Sequence, residues 1–154
     1  DERADTEGDG GYHYFSFELI PYRFPRTVYP KLLQHWDGGP VKVAETLTEG
    51  DEICGFTVKH FPGHAPGLIG LWRERDRLVL ASDTVYFVDS MKFKPVDWAN
   101  APNRVFNQDH AAAAASLRKL AALEPAIVAA GHSEPWEGDP QRNRLLLEQA
   151  ADRG

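Results

Sequence analysis

The segment that most restricts this chain is Phe61-Pro62-Gly63-His64-Ala65-Pro66-Gly67, where two prolines and two glycines surround one histidine. Proline removes a backbone donor and fixes φ, and glycine is a poor helix former, so no helix can pass through it. Apolar β-favouring runs flank it at residues 56–61 and 68–72, with another at 77–81 and an earlier one at 41–47. The middle third of the chain is therefore predicted to be short strands joined by Gly, Pro or charged turns, and the 61–67 segment a rigid loop at a sheet edge. At Asp109 the period changes. Asp109 caps a predicted Ala- and Leu-rich helix over 111–123, which Pro125 stops. A short apolar strand over 126–130 runs into Gly131-His132, and a last helix starts near Asp139 with Pro140 in its first turn. Upstream, residues 1–11 read as a flexible lead-in, 12–20 as an aromatic-rich strand and 29–36 as a short helix. Residues 84–108, with Pro95 and Pro102, read as a long functional loop.

Composition excludes several classes. With 42% hydrophobic residues in 154, the chain can bury the core of one α/β domain without disulfide or metal staples. A net charge of −6 gives no general attraction to phosphate backbones or anionic lipid, so a small molecule is a better expected partner than nucleic acid or a membrane. No stretch approaches the ~20 apolar residues of a membrane-spanning helix, and no leader is visible. The expectation is a soluble protein. The single Cys54 excludes an internal disulfide and an all-thiolate zinc site, with a lean toward the cytoplasm. Residue 1 is Asp and the only methionine is Met91, so the chain is read as an excerpt of a longer protein.

Three residues stand where chemistry is commonly presented. His64, Asp83 and His132 each follow an apolar strand, and strand ends are where α/β proteins often place catalytic groups. Imidazole and carboxylate are suitable donors for zinc, iron or manganese. Each residue alone has a plainer reading, a turn histidine or a turn-forming Asp. Their order and repetition favour a site. His60 reads as a strand residue, His110 as a solvated residue or a first-turn residue of a helix, His13 and His35 as unassigned, and Cys54 as a small hydrophobe.

These residues resemble the C-terminal half of a metallo-β-lactamase superfamily hydrolase. The likeness rests on the 61–67 loop, the strand leading to Asp83, the helix around 116–120 and the Gly131-His132 loop, with gaps of 19 and 49 residues between the three candidates. It implies the C-terminal portion of an αββα sandwich. It also implies two divalent ions, zinc expected, with His64 on one, His132 on the other and Asp83 bridging them. In the complete enzyme such ions lower the pKa of water to roughly 7 for attack on an ester, lactone or related carbonyl. Tyr86, three residues past Asp83, resembles the tyrosine that lactonases of this superfamily place near the substrate carbonyl, so a lactonase-like activity is favoured over a thioesterase; its plainer reading is a partly buried loop residue.

Two departures accompany the likeness. Ser82 stands where the family usually has Gly, and no His-x-His pair, hence no HxHxDH motif, occurs in the chain. The expectation is half of a site, weak metal binding by this chain alone, and an apolar sheet face that self-associates or pairs with the missing N-terminal half. The alternative reading is a non-catalytic or degenerate α/β half-domain that pairs with another segment or chain.

Overall fold

The computed structural model describes residues 42–89 and 94–153. The lead-in over 1–11, the strand expected over 12–20 and the helix expected over 29–36 lie outside them.

Six strands form one mixed sheet: β1 (Glu52–Ile53), β2 (Phe56–His60), β3 (Ile69–Arg73), β4 (Leu78–Ser82), β7 (Ile127–Ala130) and β8 (Trp136–Glu137), in that spatial order. Neighbours pair antiparallel except β4 and β7, which are parallel. The parallel pair needs a crossover, and helix α1 (His110–Ala122) provides it. Because β2, β4 and β7 all run the same way, their C-terminal ends reach one edge of the sheet.

Register separates two faces. Thr57, Trp72, Val79, Val128 and Trp136 are paired across the sheet in one row. Trp72, Val79 and Val128 from this row join Leu117, Leu120 and Ala121 of α1 and Leu147, Ala150 and Ala151 of α2 (Pro140–Arg153) in one buried core. Val58, Leu71, Leu80 and Ala129 form the next row and point the other way. Leu80 is 37% exposed. Among the described residues the architecture is thus one β layer under one α layer, with a second apolar face on the sheet.

The helices begin and end as the sequence predicts. The Asp109 side chain accepts from Ala112 N–H at 2.9 Å, and Asp139 accepts from Arg142 N–H at 3.0 Å. At the far end of α1, the Arg77 guanidinium donates to the carbonyls of Leu123 (2.9 Å) and Glu124 (2.6 Å), placing a cation at the negative end of the helix. Asn143, buried on α2, donates to the carbonyls of Pro125 and Ala126 and accepts from the Trp136 indole at 2.9 Å. One amide therefore ties α2 to the start of β7 and to β8.

Two expectations are corrected. Residues 42–47, the described part of the 41–47 run, are not a strand despite their composition: among the described residues no strand pairs with them, and β-propensity without a partner does not make a ladder. Residues 84–108 are not one long loop. They contain the hairpin β5 (Tyr86–Asp89) and β6 (Lys94–Asn100), in which Val88 pairs with Pro95. Pro95 argued against a strand, but this is a two-stranded sheet whose outer edge needs no donor. The hairpin is anchored by Phe87 and Ala99 in the core and by Arg153, which donates to the Ala99 carbonyl at 2.7 Å.

Ser82 ends β4 at φ +47, in the left-handed region that favours glycine. Ser82→Gly is expected to stabilise the domain by about 1 kcal/mol, measured as a shift of the urea midpoint at unchanged slope. Asn143→Ala is expected to cost about 2–3 kcal/mol in the same measurement, because the Pro125 carbonyl and the Trp136 indole N–H lose their partner together, while the Ala126 carbonyl keeps the Gly138 N–H.

Candidate metal centre

The 61–67 loop is held from three sides. Phe61 N–H donates to the Leu68 carbonyl at 2.8 Å and closes its neck, and His60 Nε2 meets the Pro66 carbonyl at 2.7 Å. On the helix side, Gln108 and Asp109 N–H donate to the carbonyls of His64 and Gly63, while the Ser116 hydroxyl donates to the Pro62 carbonyl at 2.6 Å. Gly63 has φ +133, and a Cβ there would collide with the backbone nitrogen of Ala113. Glycine is required for the loop to lie this close to the first turn of α1. The loop is consequently rigid, and His64 is aimed rather than free.

Asp83 follows β4 directly, and His132 lies two residues past β7. Parallel pairing of these strands sets Asp83 beside Gly131, whose N–H donates to the Ser82 carbonyl at 2.9 Å. A Cβ on Gly131 would collide with Asp83 Oδ1, so the carboxylate occupies the space that glycine leaves open.

The three side chains converge. His64 Nε2 is 3.7 Å from Asp83 Oδ2, and His132 Nε2 is 3.2 Å from Asp83 Oδ1. The carboxylate thus presents one oxygen to each imidazole. Oδ1 is buried and accepts no hydrogen bond, so the close approach of His132 is not one. Two ligands of a single tetrahedral ion, each at roughly 2.1 Å, stand roughly 3.4 Å apart. The two N···O separations fall on either side of that spacing, and the donors are of the right kind. The donors present are thus of a kind that suits a divalent ion, with a nitrogen and a carboxylate oxygen paired on each side of Asp83. They do not complete either set: among the described residues, no three His, Cys, Asp or Glu side chains gather as a group that could hold an ion.

Electrostatics favour the neutral imidazole of His64. Burial pushes His64 below the usual histidine value and His132 adds to the depression, while Asp83 and Asn107 oppose it. Tyr86 is buried, outside the main core cluster, with its ring edge-on to His132 at 5.4 Å between centroids. Its phenol is raised well above the ordinary tyrosine value, first by burial and then by the Asp83 charge. It keeps its proton at any working pH.

Other histidines take the places the sequence allows or adjust them. His60 is a strand residue that braces the loop. Of the two readings of His110 the first-turn one holds: it begins α1, half-buried, and meets the Asn107 amide nitrogen at 3.1 Å through Nδ1. Asn107 itself, fully buried and also donating to the Pro102 carbonyl, had no sequence signal beyond lying near a helix start.

A family model of the metallo-beta-lactamase superfamily matches residues 4–132. The probable metallo-hydrolase YflN of Bacillus subtilis (strain 168) is 38% identical over 88 residues, which are 54% of this chain and 33% of that protein. Among solved structures, the metallo-beta-lactamase family protein TTHA1429 from Thermus thermophilus is similar with a TM-score of 0.59 at 20% identity, over 99% of this chain and 51% of that one. TTHA1623, solved in a di-iron-bound form, gives 0.52 at 24% identity over 76% and 57%. The chain spans one third of the curated relative and little more than half of these structures. At such identities the structural likeness speaks for the fold, and the family match covers most of the chain. This chain belongs to the metallo-beta-lactamase superfamily.

Proposed function

We propose that the chain carries one side of a two-metal hydrolase site acting on an ester, lactone or related carbonyl, with lactones favoured. The observation that supports it most is the Asp83 carboxylate set between two imidazole nitrogens, one at each oxygen. In this reading His64 and His132 would each hold an ion through Nε2, and Asp83 would offer one carboxylate oxygen to each. Two divalent ions, zinc being the favoured pair, would polarise the carbonyl and supply a nucleophile from water near neutral pH. The burial that lowers the His64 pKa keeps its lone pair available for a metal below the pH where an ordinary histidine would take a proton. Tyr86 serves as a hydrogen-bond donor to the substrate carbonyl or leaving oxygen, since it packs on His132 and retains its proton.

A second reading, a non-catalytic half-domain that pairs with another segment or chain, draws on the incomplete ligand sets among the described residues. Metal content separates the two.

Elemental analysis after zinc loading, with turnover of a lactone series, is the direct test. Asp83→Ala is expected to lower metal affinity at least about tenfold, and Gly131→Ala to do nearly as much by displacing the carboxylate, with the circular dichroism of both unchanged. Zinc binding that is equally tight in both variants would overturn the assignment. Tyr86→Phe should retain the metal and lose about ten- to a hundredfold in kcat.

The pH dependence has a fixed sign. His64 is lowered from 6.5 in the folded chain, so on acidification the unfolded chain takes up the proton first. The metal-free domain should lose stability as the pH falls from about 6.5 toward the lower folded-state value, and His64→Gln should flatten that part of the curve in pH-resolved urea denaturation.

A further inference from the structure

Beside His132 lies a hollow of about 590 Å³, within the range of roughly 300–1,000 Å³ that small-molecule sites occupy. Its walls are Phe87 and Val88 of β5, Pro95 and Val96 of β6, and Trp136 of β8. The hairpin that replaces the expected long loop therefore forms one side of it. The base is preformed: the Phe87 and Trp136 rings are stacked, 4.9 Å apart and 7° from parallel, and the Trp136 indole is fixed by Asn143. These are rigid apolar surfaces with little freedom left to lose on binding.

Two polar features limit what fits. The Ser133 hydroxyl lines the hollow, buried and without a hydrogen-bond partner, so it is placed to bond a polar atom of a ligand. Apart from His132, the only ionisable group lining it among the described residues is Glu134, which is exposed, and none of those residues is Lys or Arg. Among the described residues of the metal-free hollow, a free carboxylate or phosphate finds no cationic side chain and meets the Glu134 charge.

We propose that this hollow receives the apolar acyl or alkyl portion of an uncharged lactone or ester, with the Ser133 hydroxyl bonding a polar atom close to the reacting carbonyl. The proposal rests on the hydrolase reading for its place beside the reacting centre, because His132 belongs both to the hollow and to the Asp83 cluster. It goes further in naming a substrate of medium chain length without charge.

Binding can be read without metal. In the full chain labelled with nitrogen-15, titration with a ten-carbon lactone should shift the Trp136 indole N–H resonance. Decanoate and γ-butyrolactone should bind at least about tenfold more weakly, one lacking a counter-charge and the other lacking several methylenes of burial. Val96→Glu should abolish the shift, and Ser133→Ala, the variant least able to disturb folding, should weaken binding about three- to tenfold. An unmoved Trp136 signal, decanoate binding as tightly as the lactone, or affinity unchanged in both variants would overturn the proposal. Catalysis is then read separately on the zinc-loaded protein. Turnover with a chain-length preference indifferent to Val96→Glu would sink the hollow and leave the hydrolase reading standing; lactone binding that responds to both variants, without turnover, would do the reverse.

Discussion

The parallel pairing of β4 with β7 is the constraint on which the rest depends. It brings segments distant in the chain side by side, Val79 against Val128 and, at the end of the ladder, Ser82 opposite Ala130. That register sets Asp83 against Gly131 and puts His132 within reach of one carboxylate oxygen. The same pairing demands a crossover helix, and the start of that helix is what clamps the 61–67 loop and aims His64 at the other oxygen. One ladder thus accounts for all three positions.

The cost of this arrangement is visible in the backbone. Ser82 turns out of β4 in a left-handed conformation, and Gly63 and Gly131 stand where any side chain would strike the helix or the carboxylate. The left-handed backbone also occurs at Cys54, Arg77 and Glu124, away from the site, but Ser82, Gly63 and Gly131 are the positions that set the convergent side chains in place. The buried carboxylate oxygen without a hydrogen bond fits the same pattern, since a polar group left unpaired inside a protein is costly unless something binds to it.

The sheet has two apolar faces, but α1 and α2 cover only one. The row Val58, Leu71, Leu80 and Ala129 belongs to the other face, so the described residues supply one β layer and one α layer of the superfamily's four-layer sandwich. The hairpin β5–β6 extends this unit at the edge where the site lies. Its Phe87 joins the core and stacks on Trp136, so the hollow and the candidate metal centre share a rigid support.

Much of this was legible in the residues themselves. The Pro and Gly content of 61–67 excluded a helix, the Asp109 and Asp139 caps marked both helix starts, and the apolar runs ending at Asp83 and Gly131-His132 marked the strand ends, because these signals are local and act through backbone chemistry. What tertiary structure alone decided was non-local. The stretch at 42–47 has strand composition but no pairing partner among the described residues, while Val88 and Pro95 pair in a hairpin despite a proline, since a ladder is a property of two segments and not of one. Asn107, Asn143 and Ser133 carry no pattern that marks them in a sequence; they matter because packing buries them beside groups distant in the chain, and burial is what gives a single hydrogen bond its weight.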